Sequence, residues 1–160
     1  MKEIKINPKQ IVFNEKTRLA CLSCKNFGTK ATCSPYIATI EYFKKVIKSY
    51  KQGIIYYDLF KADKENWETL RKESSLKIHK YILAERDKLI NEGHYFYLCL
   101  GAGSCKLCPT CSFPCKNPSE SLIPVEGTGI DLVATMKKYK INIKFPIKDS
   151  FYRIGMLLYD

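Results

Sequence analysis

No run in this chain of 160 residues approaches the ~20 consecutive apolar residues that span a bilayer, so a membrane-crossing helix is not expected. The first residues, Met1-Lys-Glu-Ile-Lys-Ile-Asn-Pro8, hold no apolar signal-peptide core, which predicts a reducing, cytoplasmic setting. Arginine is scarce: only Arg18, Arg71, Arg86 and Arg153 stand among 27 basic residues. Arginine is the side chain suited to bidentate phosphate contact, and the lysines are scattered with no dense run. A dedicated nucleic-acid role is therefore not predicted, although the formal net charge is +11. Linkers, internal repeats and low-complexity segments are missing too, and a single domain over residues 1–160 is expected. HExxH, GxSxG and P-loop patterns do not occur.

Cysteine, by contrast, is abundant, with eight in the chain. In a reducing compartment thiols are rarely paired, so metal ligation is their better use. The densest stretch is Cys105-Lys-Leu-Cys108-Pro-Thr-Cys111-Ser-Phe-Pro-Cys115. Its spacings of two, two and three residues are the run with which bacterial ferredoxins hold a cubane cluster. A mononuclear zinc site takes cysteines more often as separated pairs, because four sulfurs crowd one ion at roughly 2.3 Å. An iron–sulfur cube spreads its ligands wider. The expected cofactor is a 4Fe-4S cluster, with zinc as the alternative.

A second group, Cys21-Leu-Ser-Cys24 with Cys33 further on, lies near the start of the chain. A four-thiolate site carries a net charge of about −2 with zinc or an oxidised cubane, so two such sites would bring +11 down to about +7. In order along the chain stand Cys21-x-x-Cys24-Lys-Asn-Phe-Gly28, Cys33-Ser-Pro35, Leu100-Gly-Ala-Gly-Ser-Cys105-Lys-Leu-Cys108 and Gly129-Ile-Asp131. This pattern resembles an uncharacterised prokaryotic family of predicted metal-binding proteins (domain of unknown function 2284). The resemblance covers roughly residues 18–159. It implies metal binding through cysteines, a bacterial or archaeal cytoplasmic setting, and no established reaction.

Two wirings are open. In one, Cys105, Cys108, Cys111 and Cys115 hold one cluster, while Cys21, Cys24 and Cys33 hold a second centre with a free position. In two-cluster ferredoxins the fourth cysteine of such a run serves the other cluster, so in the second wiring Cys115 joins the N-terminal triad. Cys99 lies in an apolar stretch and reads as a buried small hydrophobe. Gly101 and Gly103 are candidate cofactor-binding positions, since they allow a tight turn and bring N–H groups near sulfur. His79, mid-helix among lysines, reads as a solvated surface residue, and His94 is a weak candidate ligand.

The periodicity predicts an α/β fold, with α+β as the variant: a single small layered sheet with helices and cysteine-rich loops at one end. A helix is expected over residues 38–50, closed by Gly53, and a buried strand over Ile54–Tyr57. A long helix capped by Asp63 should run through Trp67, Leu70, Ile78, Tyr81 and Leu89 to Gly93. The strand Tyr95–Leu100 then delivers the chain into the cysteine run. Residues 117–129 read as loop, Ile130–Tyr139 as helix, and Ile141–Phe145 and Phe151–Tyr159 as strands separated by Pro146 and Asp149.

Three functions follow from these features. The first is an iron–sulfur protein for electron transfer or accessory to a partner enzyme, its lysine surface steering it to an acidic protein partner or redox enzyme. The second is a zinc-binding structural or interaction module. The third, an enzyme with an open iron as Lewis acid, requires a site with three protein ligands.

Overall fold

In the computed structural model, which describes residues 1–61, 65–143 and 149–160, five strands form one open mixed sheet. They are β1 (Lys2–Ile6), β2 (Gln52–Lys61), β3 (Tyr97–Gly101), β4 (Ile123–Pro124) and β5 (Ser150–Tyr159), arranged β1-β2-β5-β3-β4. Neighbours are antiparallel except β3 and β4, which are parallel. The helices are α1 (Glu15–Leu19), α2 (Ile40–Ser49), α3 (Trp67–Asn91) and α4 (Leu132–Lys138), and the fold is α/β.

Strand alternation sorts the apolar side chains onto two faces. Ile55, Ile154, Met156 and Leu158 meet Phe43 and Ile47 of α2 and Met136 of α4. On the opposite face Tyr56 and Leu157 meet Ile78, Ile82 and Leu89 of α3. Each such side chain, when fully buried, contributes roughly 1.5–3 kcal/mol. Thr39 caps α2 by accepting from the Tyr42 N–H at 3.2 Å, and Asp131 caps α4 by accepting from the Ala134 N–H at 2.9 Å. The tightest approach is at Gly155 on β5. A Cβ there would lie 2.9 Å from the Leu100 carbonyl oxygen and 3.1 Å from Ile78 Cγ2, so α3 packs directly on the strand backbone.

Several expectations are corrected. Gly53 does not close a helix; it lies inside β2, opposite Leu158, because the chain turns straight from α2 into a strand longer than Ile54–Tyr57. The strand β1 went unpredicted, although Lys2-Glu-Ile-Lys-Ile6 alternates as an edge strand should. Tyr95 and Phe96 stand exposed before β3. Ile141–Ile143 form no strand, and Lys144, Phe145 and Pro146 lie outside the described residues, as does the expected cap Asp63. Residues 117–129 include β4 and a short 3-10 turn, Glu126–Thr128. His79 is not solvated but buried: its Nε2–H donates to the Glu120 carbonyl at 2.6 Å, fixing the loop after the cysteine run onto α3. Burial pushes its pKa down, opposed by that hydrogen bond. Among the described residues no helix is long and apolar enough to cross a membrane.

Candidate metal centre

β2 and β3 both run antiparallel to β5, so their carboxyl ends lie at one end of the sheet. There the chain leaves β3 and passes through residues 102–122 without helix or strand. Side chains of α3 hold this segment. Ser75 Oγ donates to the Ala102 carbonyl at 2.7 Å, and Arg86 Nη1 donates to the Ser119 carbonyl at 2.8 Å. Gly103 turns with φ +77°, a conformation that side-chain-bearing residues rarely adopt. Gly101 packs tightly instead: a Cβ on it would sit 3.0 Å from Leu122 Cβ.

Cys105, Cys108, Cys111 and Cys115 line one small cavity of about 20 Å³, closed on one side by Lys30, Ala31 and Thr32. Two N–H donors reach its sulfurs. The main chain of Ala31 donates to Cys111 Sγ at 3.3 Å, and Asn117 Nδ2 donates to Cys108 Sγ at 3.2 Å.

Cys21, Cys24 and Cys33 line a second cavity, beside the first. The loop carrying them is held by one arginine. Arg18 donates through Nε to Ser34 Oγ at 3.2 Å, through Nη2 to the Ile37 carbonyl at 3.1 Å, and through Nη1 to the Ala38 carbonyl. The Asn26 N–H donates to Cys24 Sγ at 3.5 Å. Burial pushes the Cys33 thiol up to about 11, helped by the neighbouring Cys24; Cys21 is raised by burial against a hydrogen bond from Ser34. Such thiols stay protonated until a cation takes the proton's place. The Thr32 hydroxyl is buried with no hydrogen-bond partner among the described residues, yet lies close enough to Cys33 to favour its thiolate.

The two loops touch. Besides the Ala31–Cys111 hydrogen bond, the rings of Tyr36 and Phe113 meet with centroids 4.6 Å apart. The second cavity, of about 510 Å³, extends from the triad to Arg71, Lys106, Glu126 and Arg153. Arg153 donates through Nε to Ser74 Oγ at 3.0 Å and through Nη2 to the Arg71 carbonyl at 3.0 Å. Burial and the neighbouring Arg71 lower its pKa to about 10.

The donor set suits a thiophilic metal: all eight cysteines are free, and seven line two adjoining cavities, the sulfurs of Cys24, Cys108 and Cys111 each accepting an N–H. Among the described residues, however, no three His, Cys, Asp or Glu side chains are drawn together as around a single metal ion. Cys99 stands apart, on β3 within the α3-side core, and burial pushes its thiol up to about 12. His94 lies at the opposite end of β3 from the cysteine run, hydrogen-bonded to the Asp160 main-chain oxygen and against Tyr159. No N–H of Gly101 or Gly103 reaches a cysteine sulfur among the described residues; Ala31 and Asn26 supply the main-chain donors.

Sequence reasoning missed Arg18, Ala31, Asn117 and Arg153. A lone charge within Phe151-Tyr-Arg-Ile-Gly-Met-Leu-Leu-Tyr159 could have singled out Arg153, and proximity to Cys21 could have singled out Arg18. Nothing in the sequence marks Ala31 or Asn117.

The comparison with curated proteins gave no match, nor did the comparison with solved structures. The family described as predicted metal-binding protein (domain of unknown function 2284) matches residues 4–159, a span that takes in both cysteine loops and the whole sheet but for two residues at the start of β1. The chain belongs to that family of predicted metal-binding proteins.

Proposed function

We propose that the protein is an iron–sulfur protein that exchanges electrons with a partner or serves a partner enzyme. In this reading Cys105, Cys108, Cys111 and Cys115 hold a 4Fe-4S cluster, and Cys21, Cys24 and Cys33 hold a second centre with one position open. The observation that carries it is the single cavity common to the four cysteines of the run, with N–H donors from Ala31 and Asn117 on two of its sulfurs. A bound cluster accepts and returns one electron at a potential set by charge, burial and hydrogen bonds to sulfur. Here Ala31 and Asn117 would favour the more negative, reduced state. The excess of lysine would draw in an acidic partner surface, in line with the formal +11 charge.

One observation favours a second reading, a zinc staple. Residues 102–122 have no regular structure, and a closed zinc site orders such loops. Protein purified without oxygen separates the two. Iron and acid-labile sulfide in stoichiometric amounts with a brown colour support the cluster. A colourless chain with stoichiometric zinc and no sulfide rejects it.

A further inference from the structure

The cavity of about 510 Å³ beside the Cys21–Cys24–Cys33 loop is larger than a metal centre needs, and lies within the ~300–1,000 Å³ range of small-molecule sites. Its charge is one-sided. Lys25, Arg71, Lys72, Lys106 and Arg153 line it, against Glu68 and Glu126. Lys25 and Glu68 neutralise each other across 3.2 Å at the exposed rim. Glu126 is half-buried, and burial favours its neutral form. Arg71, Lys72, Lys106 and Arg153 form no ion pair among the described residues.

Like charges gathered at a concave, partly desolvated surface repel one another, and a bound anion relieves that repulsion. The arginines are fixed in a way that leaves donors free. Arg153 is anchored through Nε and Nη2, while Nη1 faces Gly103, 3.8 Å from where a Cβ would stand. Arg71 lies over the Trp67 ring at 5.8 Å, and its guanidinium makes no hydrogen bond among the described residues. Lys106 Nζ is held by Ser104 Oγ at 3.0 Å.

We propose that this cavity binds a small organic anion through a carboxylate or phosphate group held by Arg71, Arg153 and Lys106, with the remainder of the molecule directed at the cysteine triad. What the anion faces rests on the metal reading given above; what holds it does not.

The test is calorimetric titration of protein purified without oxygen with succinate, with inorganic phosphate, and with glycerol as the neutral control, metal per chain being measured on each sample. The expected result is saturable binding of one anion per chain, none of glycerol, and at least tenfold weaker binding in both Arg153→Gln and Arg71→Gln at unchanged metal content. The tighter of the two anions identifies the group recognised. Arg71→Gln removes no side-chain hydrogen bond among the described residues, so it remains informative if Arg153→Gln fails to fold. Absence of saturable binding by either anion overturns the proposal, as does an affinity unchanged in a folded variant. Loss of metal from Arg153→Gln with anion affinity intact also overturns it, by assigning the cations to the metal centre. A chain that binds anions but carries no metal upholds this site while rejecting the function proposed above.

Discussion

The Ala31 N–H donates to Cys111 Sγ at 3.3 Å, joining two loops that lie 80 residues apart in sequence. A contact of that span closes a long stretch of chain, which is entropically costly unless other contacts share it. Here the Tyr36–Phe113 ring pair shares it. The thiol run and the N-terminal loop therefore depend on each other for position.

Cys108→Ser and Cys111→Ser should each remove most of the metal held by the run, because both sulfurs line its cavity and both accept an N–H. Metal and sulfide analysis per chain checks this. Full retention in both variants would remove the site.

Cys115 lines the cavity of the run, and Cys24 lines the other. Cys115→Ser and Cys24→Ser should thus damage spectroscopically distinct centres, with additive losses of metal in the double variant. Independent sites add, whereas ligands of one site do not. A single centre lost in all three variants would instead join Cys115 to the N-terminal triad.

Metal removal should lower the melting temperature and open new protease cleavage around residues 15–35, since metal binding adds free energy that the unfolded chain lacks. Arg18→Ala should produce the same cleavage with metal still bound, at a stability cost of about 1.5–3 kcal/mol for its charged hydrogen bonds. Identical digests of loaded, stripped and variant protein would mean that the sheet and its helices hold the loop unaided.

Three of the four helices, the central strands and the cysteine clusters were legible in the sequence because each has a local signature; the short α1 was not. Phe43 and Ile47 recur at helical spacing, and the thiols recur at ligand spacing. What escaped was settled by distant partners. His79 sits among lysines in sequence, yet its neighbour in space is Glu120. Gly53 reads as a helix stop, and only pairing with β1 and β5 places it in a strand. The donors on sulfur come from Ala31 and Asn117, residue types that carry no mark of such a role.

His79 supplies a pH dependence. Its folded pKa lies below the ordinary imidazole value of about 6.5, so its contribution to stability is complete above that value. It is lost as pH falls through the depressed folded value, where the ring must charge inside the protein. Melting temperatures of wild type and His79→Gln compared from pH 7 to pH 5 should converge as the pH falls. A constant gap would show that protonation at His79 plays no part.

Gly155→Ala should cost about 1–3 kcal/mol, as its Cβ meets the Leu100 carbonyl and Ile78 at a closely packed crossing. Chemical denaturation measures this. A neutral result would mean that α3 can retreat from β5, and with it Ser74 and Ser75, which hold Arg153 and Ala102.

Along β5, Phe151 meets Trp67, Arg153 meets Ser74, and Gly155 lies under Ile78 and Ile82, all on the face covered by α3. Tyr152, Ile154 and Met156 belong to the core on the other side. A slip of one residue between β5 and its neighbours would exchange these sets, driving the guanidinium into an apolar core and presenting isoleucine to the cavity. The place of Arg153 in the space beside the cysteines therefore rests on strand register, outside the cysteine loops themselves. It holds only in the frame in which β2 and β3 pair with β5, so the register of the sheet also sets which side chain reaches the site.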